Sequence, residues 1–312
     1  MCGIAGIIHR GQGAADVGAE MTAMLQALRH RGPDSTGFAL YGVPRGERLV
    51  MRFKVAEPAD MAQTLGAADE AAGRAAQVVE RIEGLGGRVL EQAKATDYAY
   101  RLELLYSGDF RKLASYIEEL EQVEILSLGS GLELVKDLGD AHQVSGQYEL
   151  GSFKGTHGVG HSRMATESDV DIRSAHPYWA FPFKDVAVVH NGQLTNYWNG
   201  RRALERGGHR FASNCDSELV SVYLADKLDR GIDLETAIHH SIEDLDGVFT
   251  YVVATDSMLG MAKDMLAAKP MVLYESDELI ALASEEVAIR AIFDEEIETW
   301  DPYEGEVRVW QT

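Results

Sequence analysis

The chain has 312 residues, enough for one large domain or two smaller ones around a substantial core, and its 46% apolar and 25% charged content is ordinary for a soluble globular protein. A net charge of −21 repels phosphate backbones and argues against nucleic-acid binding. No run approaches roughly eighteen uninterrupted apolar residues, which argues against a membrane-spanning helix.

The chain opens Met1-Cys2-Gly3-Ile4-Ala5-Gly6-Ile7, and Gly3–Ile8 reads as a short, buried strand that would pin the terminus inside a sheet. If Met1 is removed, Cys2 carries both a thiol and a free α-amine, a nucleophile and a base on one residue. The bland alternative is a small buried hydrophobe. The only other cysteine is Cys215, so a Cys2 that must stay free implies a reducing compartment. The opening lacks the basic n-region of a signal peptide, leaving the cytosol as the simplest location.

After a turn at His9–Gly13, Val17, Met21, Met24, Leu25 and Leu28 recur at helical spacing and predict a helix over 16–30. It stops at Arg31-Gly32-Pro33-Asp34-Ser35-Thr36-Gly37. That stretch is either a plain helix terminus, with Gly32 as cap and Pro33 as stop, or a loop arching over the Cys2 end. A strand resumes at Phe38–Tyr41.

Residues 52 to about 140 change texture. Strands are expected at 52–55, 88–92, 99–106 and 123–128, with helices at 60–82 and 110–120. This β-α-β-β-α-β order is that of a ferredoxin-like module. Its glycines (Gly84, Gly86, Gly87, Gly108) are turn formers without a phosphate-loop lysine. The expected division is 1–50 and 141–312 for an outer domain and 51–140 for an inserted module.

From Gly155 polar groups crowd together. His161-Ser162-Arg163-Met164-Ala165-Thr166-Glu167 is followed by Ala175-His176-Pro177. A strand at Asp185–His190 is expected to break at the turn dipeptide Asn191-Gly192. Helices are expected at 195–206, after Asn214-Cys215-Asp216-Ser217-Glu218, and at 234–245; Asp216 or Ser217 could be an N-cap. Strands at 248–255, 259–264, 271–274, 279–283 and 307–310, with a helix at 285–292, complete a pattern of stacked antiparallel sheets covered by helices.

Together these clusters form the set needed to cleave the carboxamide of an amino acid. Cys2 supplies the thiolate, and Asn191 and Gly192 can aim N–H donors at an oxyanion. Arg163 can grip an α-carboxylate with two parallel bonds, and Asp216 can pair with an α-ammonium. His161, His190 and Cys215 read as scaffold, and no His/Cys/Asp spacing matches a metal site.

On six segments in order, at 1–7, 31–37, 161–166, 175–177, 190–192 and 214–218, the chain resembles a class II glutamine amidotransferase domain of the N-terminal-nucleophile hydrolase superfamily. The resemblance covers about 1–50 and 150–295. It implies an α+β fold, an αββα sandwich, here with the ferredoxin-like module inserted. It further implies Cys2 as nucleophile with its α-amine as base, Asn191 and Gly192 as oxyanion hole, and Arg163 and Asp216 on the glutamine head group. Thr166 and His176 would line the glutamine pocket, and Arg31 would order the loop over the nucleophile. Met164 and Glu167 depart from the residues common at those positions.

Such domains make ammonia for a second site, and no nucleotide loop, phosphoribosyl motif or sugar-isomerase domain is found here. This points to a separate glutaminase component whose partner consumes the ammonia, and the insert, particularly 123–129 and 135–140, resembles that of the free-standing amidotransferase component of a glutamate synthase or an N-methylglutamate synthase. L-glutamine would be its substrate. It would hold no cofactor of its own, and flavin and iron–sulfur groups would sit in partner chains. A non-catalytic, glutamine-sensing or scaffold component is the competing reading. An N-terminal-Cys hydrolase of other amides is disfavoured by the Arg163–Asp216 pair.

Overall fold

In a computed structural model the described residues are 2–11, 13–63, 66–164, 172–181 and 185–312, so Thr166 and Glu167 lie outside them. In chain order the elements begin with β1 (Gly3–His9), α1 (Val17–Ala27) and β2 (Ser35–Tyr41). There follow β3 (Arg48–Lys54), α2 (Pro58–Gln63), α3 (Ala67–Gly84), β4 (Arg88–Lys94), β5 (Ala99–Leu105), α4 (Phe110–Glu118) and β6 (Glu124–Gly129). Next come β7 (Leu132–Leu138), α5 (Ala141–Gln147), β8 (His157–Arg163), β9 (Tyr178–Trp179), β10 (Ala187–Leu194), α6 (Tyr197–Arg206), α7 (Asp216–Asp229) and α8 (Leu234–Asp244). The chain finishes with β11 (Gly247–Ala254), β12 (Met258–Lys263), β13 (Val272–Glu275), β14 (Leu279–Ala283), α9 (Glu286–Arg290) and β15 (Val307–Gln311).

Two antiparallel sheets stack face to face: β13-β14-β1-β8-β2-β7 and β15-β12-β11-β10-β9. α1, α5 and α9 cover the first, and α6, α7 and α8 the second, giving the αββα sandwich. Side-chain parity explains the packing. In β1, Ile4 and Ile8 enter the layer between the sheets, while Ala5 and Ile7 face α1. In β10, Ala187 and Val189 enter that layer, while Val188 faces the helices. Strands buried on both faces read as continuous apolar runs, which is why β1 and β10 stand out in the sequence.

A third sheet, β4-β5-β3-β6, is antiparallel throughout and carries α3 and α4. Numbered along the chain its order is 2-3-1-4, the ferredoxin-like arrangement. Leu49, Met51 and Phe53 point to the helices and share a core with Val78, Ile82 and Ile117. The strand within 132–138, placed by the 51–140 division inside the insert, instead pairs with β2 at the edge of the six-stranded sheet. The reason is register: Leu132 and Leu134 continue the apolar layer between the two large sheets.

The seam between this module and the sandwich is charged. Glu133 accepts from Arg52 and Arg101, and Lys54, 2% exposed, pairs with Glu57 and Glu124. Burial alone would raise the Glu133 and Glu124 carboxyls, but Arg52 and Arg101, and Lys136 and Lys54, outweigh it and hold both below the usual range.

Candidate active site

The site lies where four strands run out of apolar side chains. β1 pairs with β8 through Gly3–Ser162, and β2 pairs with β8 through Ser35–Arg163, so Cys2 and Arg163 leave the same end of the six-stranded sheet. Cys2 stands at the parity of Ile4 and Ile8. In β8, Val159 lies in the layer between sheets, so His157, His161 and Arg163 share its face. Gly160 turns the other way, where an added Cβ would come within 2.5 Å of Leu25. The glycines that hide β8 from a sequence reading are those that let α1 lie against it.

Cys2 is half-buried and free. Its carbonyl oxygen accepts two hydrogen bonds, from Arg31 Nε at 3.0 Å and from Asn191 Nδ2 at 3.2 Å. Arg31, 7% exposed, also donates from Nη1 to Glu285. Burial pushes the Glu285 carboxyl up, but Arg31 and His30 outweigh it and hold it below the ordinary carboxylate range. Beside this pair Ile4 N donates to Ser284 Oγ at 3.0 Å and Ser284 N donates to Ile4 O at 2.9 Å. The N-terminus is thus clasped from both ends of the chain.

The 31–37 stretch is more than a bare helix stop: Arg31 reaches the Cys2 carbonyl, 32–34 form a short connection, and Ser35-Thr36-Gly37 already belong to β2. Asp34 N donates to Arg163 O at 3.1 Å, and a Cβ on Gly32 would sit 2.3 Å from the Arg163 carbonyl carbon. A Cβ on Gly37 would sit 1.9 Å from His176 O. The motif glycines record close backbone approach, which joins the 31–37, 161–164 and 176–177 segments.

Asn191-Gly192 does not end the strand. β10 runs to Leu194, with Asn191 opposite Thr250 and Gly192 opposite Phe249 in β11. Cross-strand pairing overrides the local turn signal, and Gly192 adopts φ +152°, where a Cβ would meet Val248 O at 2.1 Å. Parity then separates neighbours: Asn191, in step with Ala187 and Val189, points toward Cys2. His190, in step with Val188, meets α7, where its Nδ1 lies 2.7 Å from Ser217 Oγ.

Asp216 is the first helical residue of α7, not its N-cap; Cys215 holds that place and makes no side-chain cap. Asp216 Oδ2 accepts from Leu194 N at 2.8 Å, which ties the start of α7 to the end of β10. Two residues on, the buried Glu218 carboxylate accepts from Ala212 N, Ser213 N and Ser213 Oγ at 2.6, 2.7 and 2.6 Å, ordering the loop before α7. Burial and the neighbouring Asp216 push the Cys215 thiol up, which suits scaffold rather than nucleophile.

His161 and His176 stack with centroids 4.0 Å apart. Burial, aided by Arg163, pushes His161 down to about 3, and burial with His161 and His190 alongside carries His176 well below its ordinary range. His190 is lowered by burial, opposed by Asp216. All three imidazoles are neutral at pH 7. The structure therefore joins Cys2, Arg31 and Asn191 directly, with Gly192 next in the strand, Arg163 and His176 bound to the same loop, and Asp216 anchored three residues from Asn191. Glu285 and Ser284 were not singled out from sequence, and each acts across a long separation with no local pattern to mark it. Ser217 stood in the sequence only as a possible N-cap, and its contact to His190 is what the fold adds.

A glutamine amidotransferase domain profile matches residues 161–291. A protein provisionally named a glutamine amidotransferase in Methanothermobacter thermautotrophicus is 40% identical over 314 residues, covering 100% of both chains. The chain belongs to the glutamine amidotransferase family. The glutamine amidotransferase-like protein GlxB of Rhizobium meliloti is 33% identical over 316 residues, covering 99% of this chain and 98% of that one. Among solved structures, the glutamine phosphoribosylpyrophosphate amidotransferase of B. subtilis superimposes with a TM-score of 0.61 at 17% identity, over 99% of this chain and 47% of the longer one. That likeness is one of fold, and it agrees with the αββα sandwich. The family carries glutamine-dependent chemistry, and L-glutamine is the substrate consistent with it.

Proposed function

We propose that the chain hydrolyses L-glutamine to L-glutamate and ammonia through Cys2. The observation that carries this reading is the Cys2 carbonyl held by both Arg31 and Asn191, which fixes the residue beside its oxyanion donors. With Met1 removed, the Cys2 α-amine takes the thiol proton, and the thiolate attacks the carboxamide carbon. The oxyanion is met by the second N–H of Asn191 Nδ2, the first being used on Cys2 O, and by Gly192 N–H. The amine returns its proton to the leaving nitrogen and ammonia departs, leaving a thioester. Water, deprotonated by the same amine, then attacks the thioester carbon; glutamate leaves and the sulfur regains its proton. Arg163 pairs with the α-carboxylate, Asp216 with the α-ammonium, and His176 and Thr166 line the pocket.

On this reading the ammonia passes to a partner of the glutamate synthase or N-methylglutamate synthase kind, in the cytoplasm. The partner chains would carry the flavin and iron–sulfur groups. Intact mass on purified protein tests removal of Met1, and glutamate release from glutamine tests the reaction, with Cys2→Ala as control. Turnover that survives Cys2→Ala sinks the mechanism. Retained Met1, with no labelling of Cys2 by an electrophilic glutamine mimic even beside its partners, favours the non-catalytic reading.

A further inference from the structure

We infer that His190 and Ser217 are positioning residues that aim the Asp216 carboxylate at the α-ammonium of glutamine; this rests on the proposed reading of the site. His190 Nδ1 lies 2.7 Å from Ser217 Oγ, and Ser217 Oγ donates to Asp216 Oδ1 at 3.4 Å. The other oxygen, Oδ2, is held by Leu194 N at 2.8 Å. The carboxylate is thus fixed at one oxygen by the end of β10 and touched at the other by Ser217, which answers to His190, and more distantly by Cys215 Sγ at 3.7 Å.

The direction of the chain follows from the hydrogens available. Ser217 has one proton and two candidate acceptors, His190 Nδ1 and Asp216 Oδ1. His190 is 2% exposed, and among the described residues its Nε2 has no hydrogen-bond partner. A buried N–H left without an acceptor is rarer in proteins than an under-used acceptor. The proton therefore sits on Nδ1 and is given to Ser217 Oγ, and the Ser217 proton turns to Asp216. Nδ1–H to Oγ–H to Oδ1 is one polarised line, and it stabilises the carboxylate in the charged form that an ammonium needs. Both residues lie on the helix-facing side of β10 and α7, away from Cys2, so they reach the substrate only through Asp216.

The test uses a Cys2→Ala background, where the amide is bound and not consumed. Calorimetry compares L-glutamine with glutaramate, which has the same carboxylate and carboxamide and no α-amino group. The ratio of the two Kd values measures the ammonium contact alone. Ser217→Ala is expected to lower that preference for glutamine about tenfold, from the usual strength of a hydrogen bond to a charged group. His190→Leu is expected to do the same. Ser217→Thr keeps the hydroxyl and His190→Asn keeps a donor near Nδ1, and both are expected to restore most of the preference.

A Ser217→Ala protein with the parent preference overturns the inference. So does equal weakening of both ligands, which marks a structural role only, or a Thr variant no better than Ala. Should Ser217→Ala fail to fold, His190→Leu set against His190→Asn decides by the same ratio, and a Leu variant with the parent preference overturns the inference. Loss of wild-type turnover with the ratio changed as expected would refute the hydrolase reading and leave this one standing. Failure of the parent to prefer glutamine refutes the aiming of Asp216 itself.

Discussion

Replacing Glu285 by Gln keeps the shape of the side chain and removes its charge. In the native chain the carboxylate accepts from Arg31 Nη1 and, at 2.9 Å, from His30 Nε2. The Arg31 side chain is 7% exposed and that of Glu285 33%, so the pair is neither sealed nor free in water. A well-buried hydrogen bond to a charged group contributes about 1.5–3 kcal/mol. Solvent screening on the Glu285 side lowers the expectation to about 1–2 kcal/mol. In a domain of this size ~1 kcal/mol shifts Tm by about 2–3 °C, so E285Q should melt about 2–6 °C below wild type at pH 7. The pH dependence has a definite sign. The Glu285 carboxyl is held below its ordinary value, so its contribution is present above the unfolded pKa and lost as pH falls through the folded one. The gap between wild type and E285Q should be full at pH 7, start to narrow as the pH enters the ordinary carboxylate range near about 4, and go on closing as the pH falls through the lowered native value. Denaturant midpoints at several pH values measure both. A wild-type midpoint for E285Q at pH 7, or a deficit that persists unchanged at about pH 3, would refute the role given to this pair.

Gly37→Ala is expected to cost about 3 kcal/mol or more, because its Cβ would lie 1.9 Å from the backbone oxygen of His176 and 2.8 Å from Cδ of the Pro177 ring. Urea unfolding reads this, and a midpoint equal to wild type would remove the close approach as the reason for the motif glycine. Asp185→Asn should loosen the connection between module and sandwich. Its carboxylate, 5% exposed, accepts from Ser130 N, Gly131 N and Leu132 N at 2.9, 3.0 and 2.9 Å, and an amide can offer only one oxygen to that fan. The expected loss is about 2–3 kcal/mol, with faster amide exchange at 130–132. Unchanged exchange there would argue that the three bonds are replaceable.

Much of the frame was legible because it rests on local signals. The apolar run of β1, the spacing of Val17, Met21, Met24 and Leu25, and the β-α-β-β-α-β order of the module each follow from a period that the chain repeats nearby. β8 was not legible, since His157-Gly158-Val159-Gly160-His161-Ser162-Arg163 lacks an apolar alternation. It is a strand because β1 and β2 pair with it on both sides, and because its glycines admit Leu25 and Met21 of α1. The continuation of β10 through Asn191-Gly192 was hidden for the same reason. A turn dipeptide is a local preference, and eight paired residues of β11 outweigh it.

The site residues divide along the same line. Cys2, Arg31, Arg163, His176, Asn191 and Asp216 lie in short segments whose residue types already suggest their chemistry. What holds them does not. Arg31 is oriented by Glu285, 254 positions away, and Asn191 finds Cys2 across 189. Sequence composition cannot mark such partners, because either residue alone is an ordinary surface or strand residue. The parity of the strands supplies what composition lacks. Once Ile4 and Ile8 are known to face Val189 and Val252 across the layer, Cys2 and Asn191 must share the polar end of that layer, and His190 must face the helices instead. The same alternation that builds the apolar core therefore decides which side chains can reach the thiol and which can act only through a neighbour.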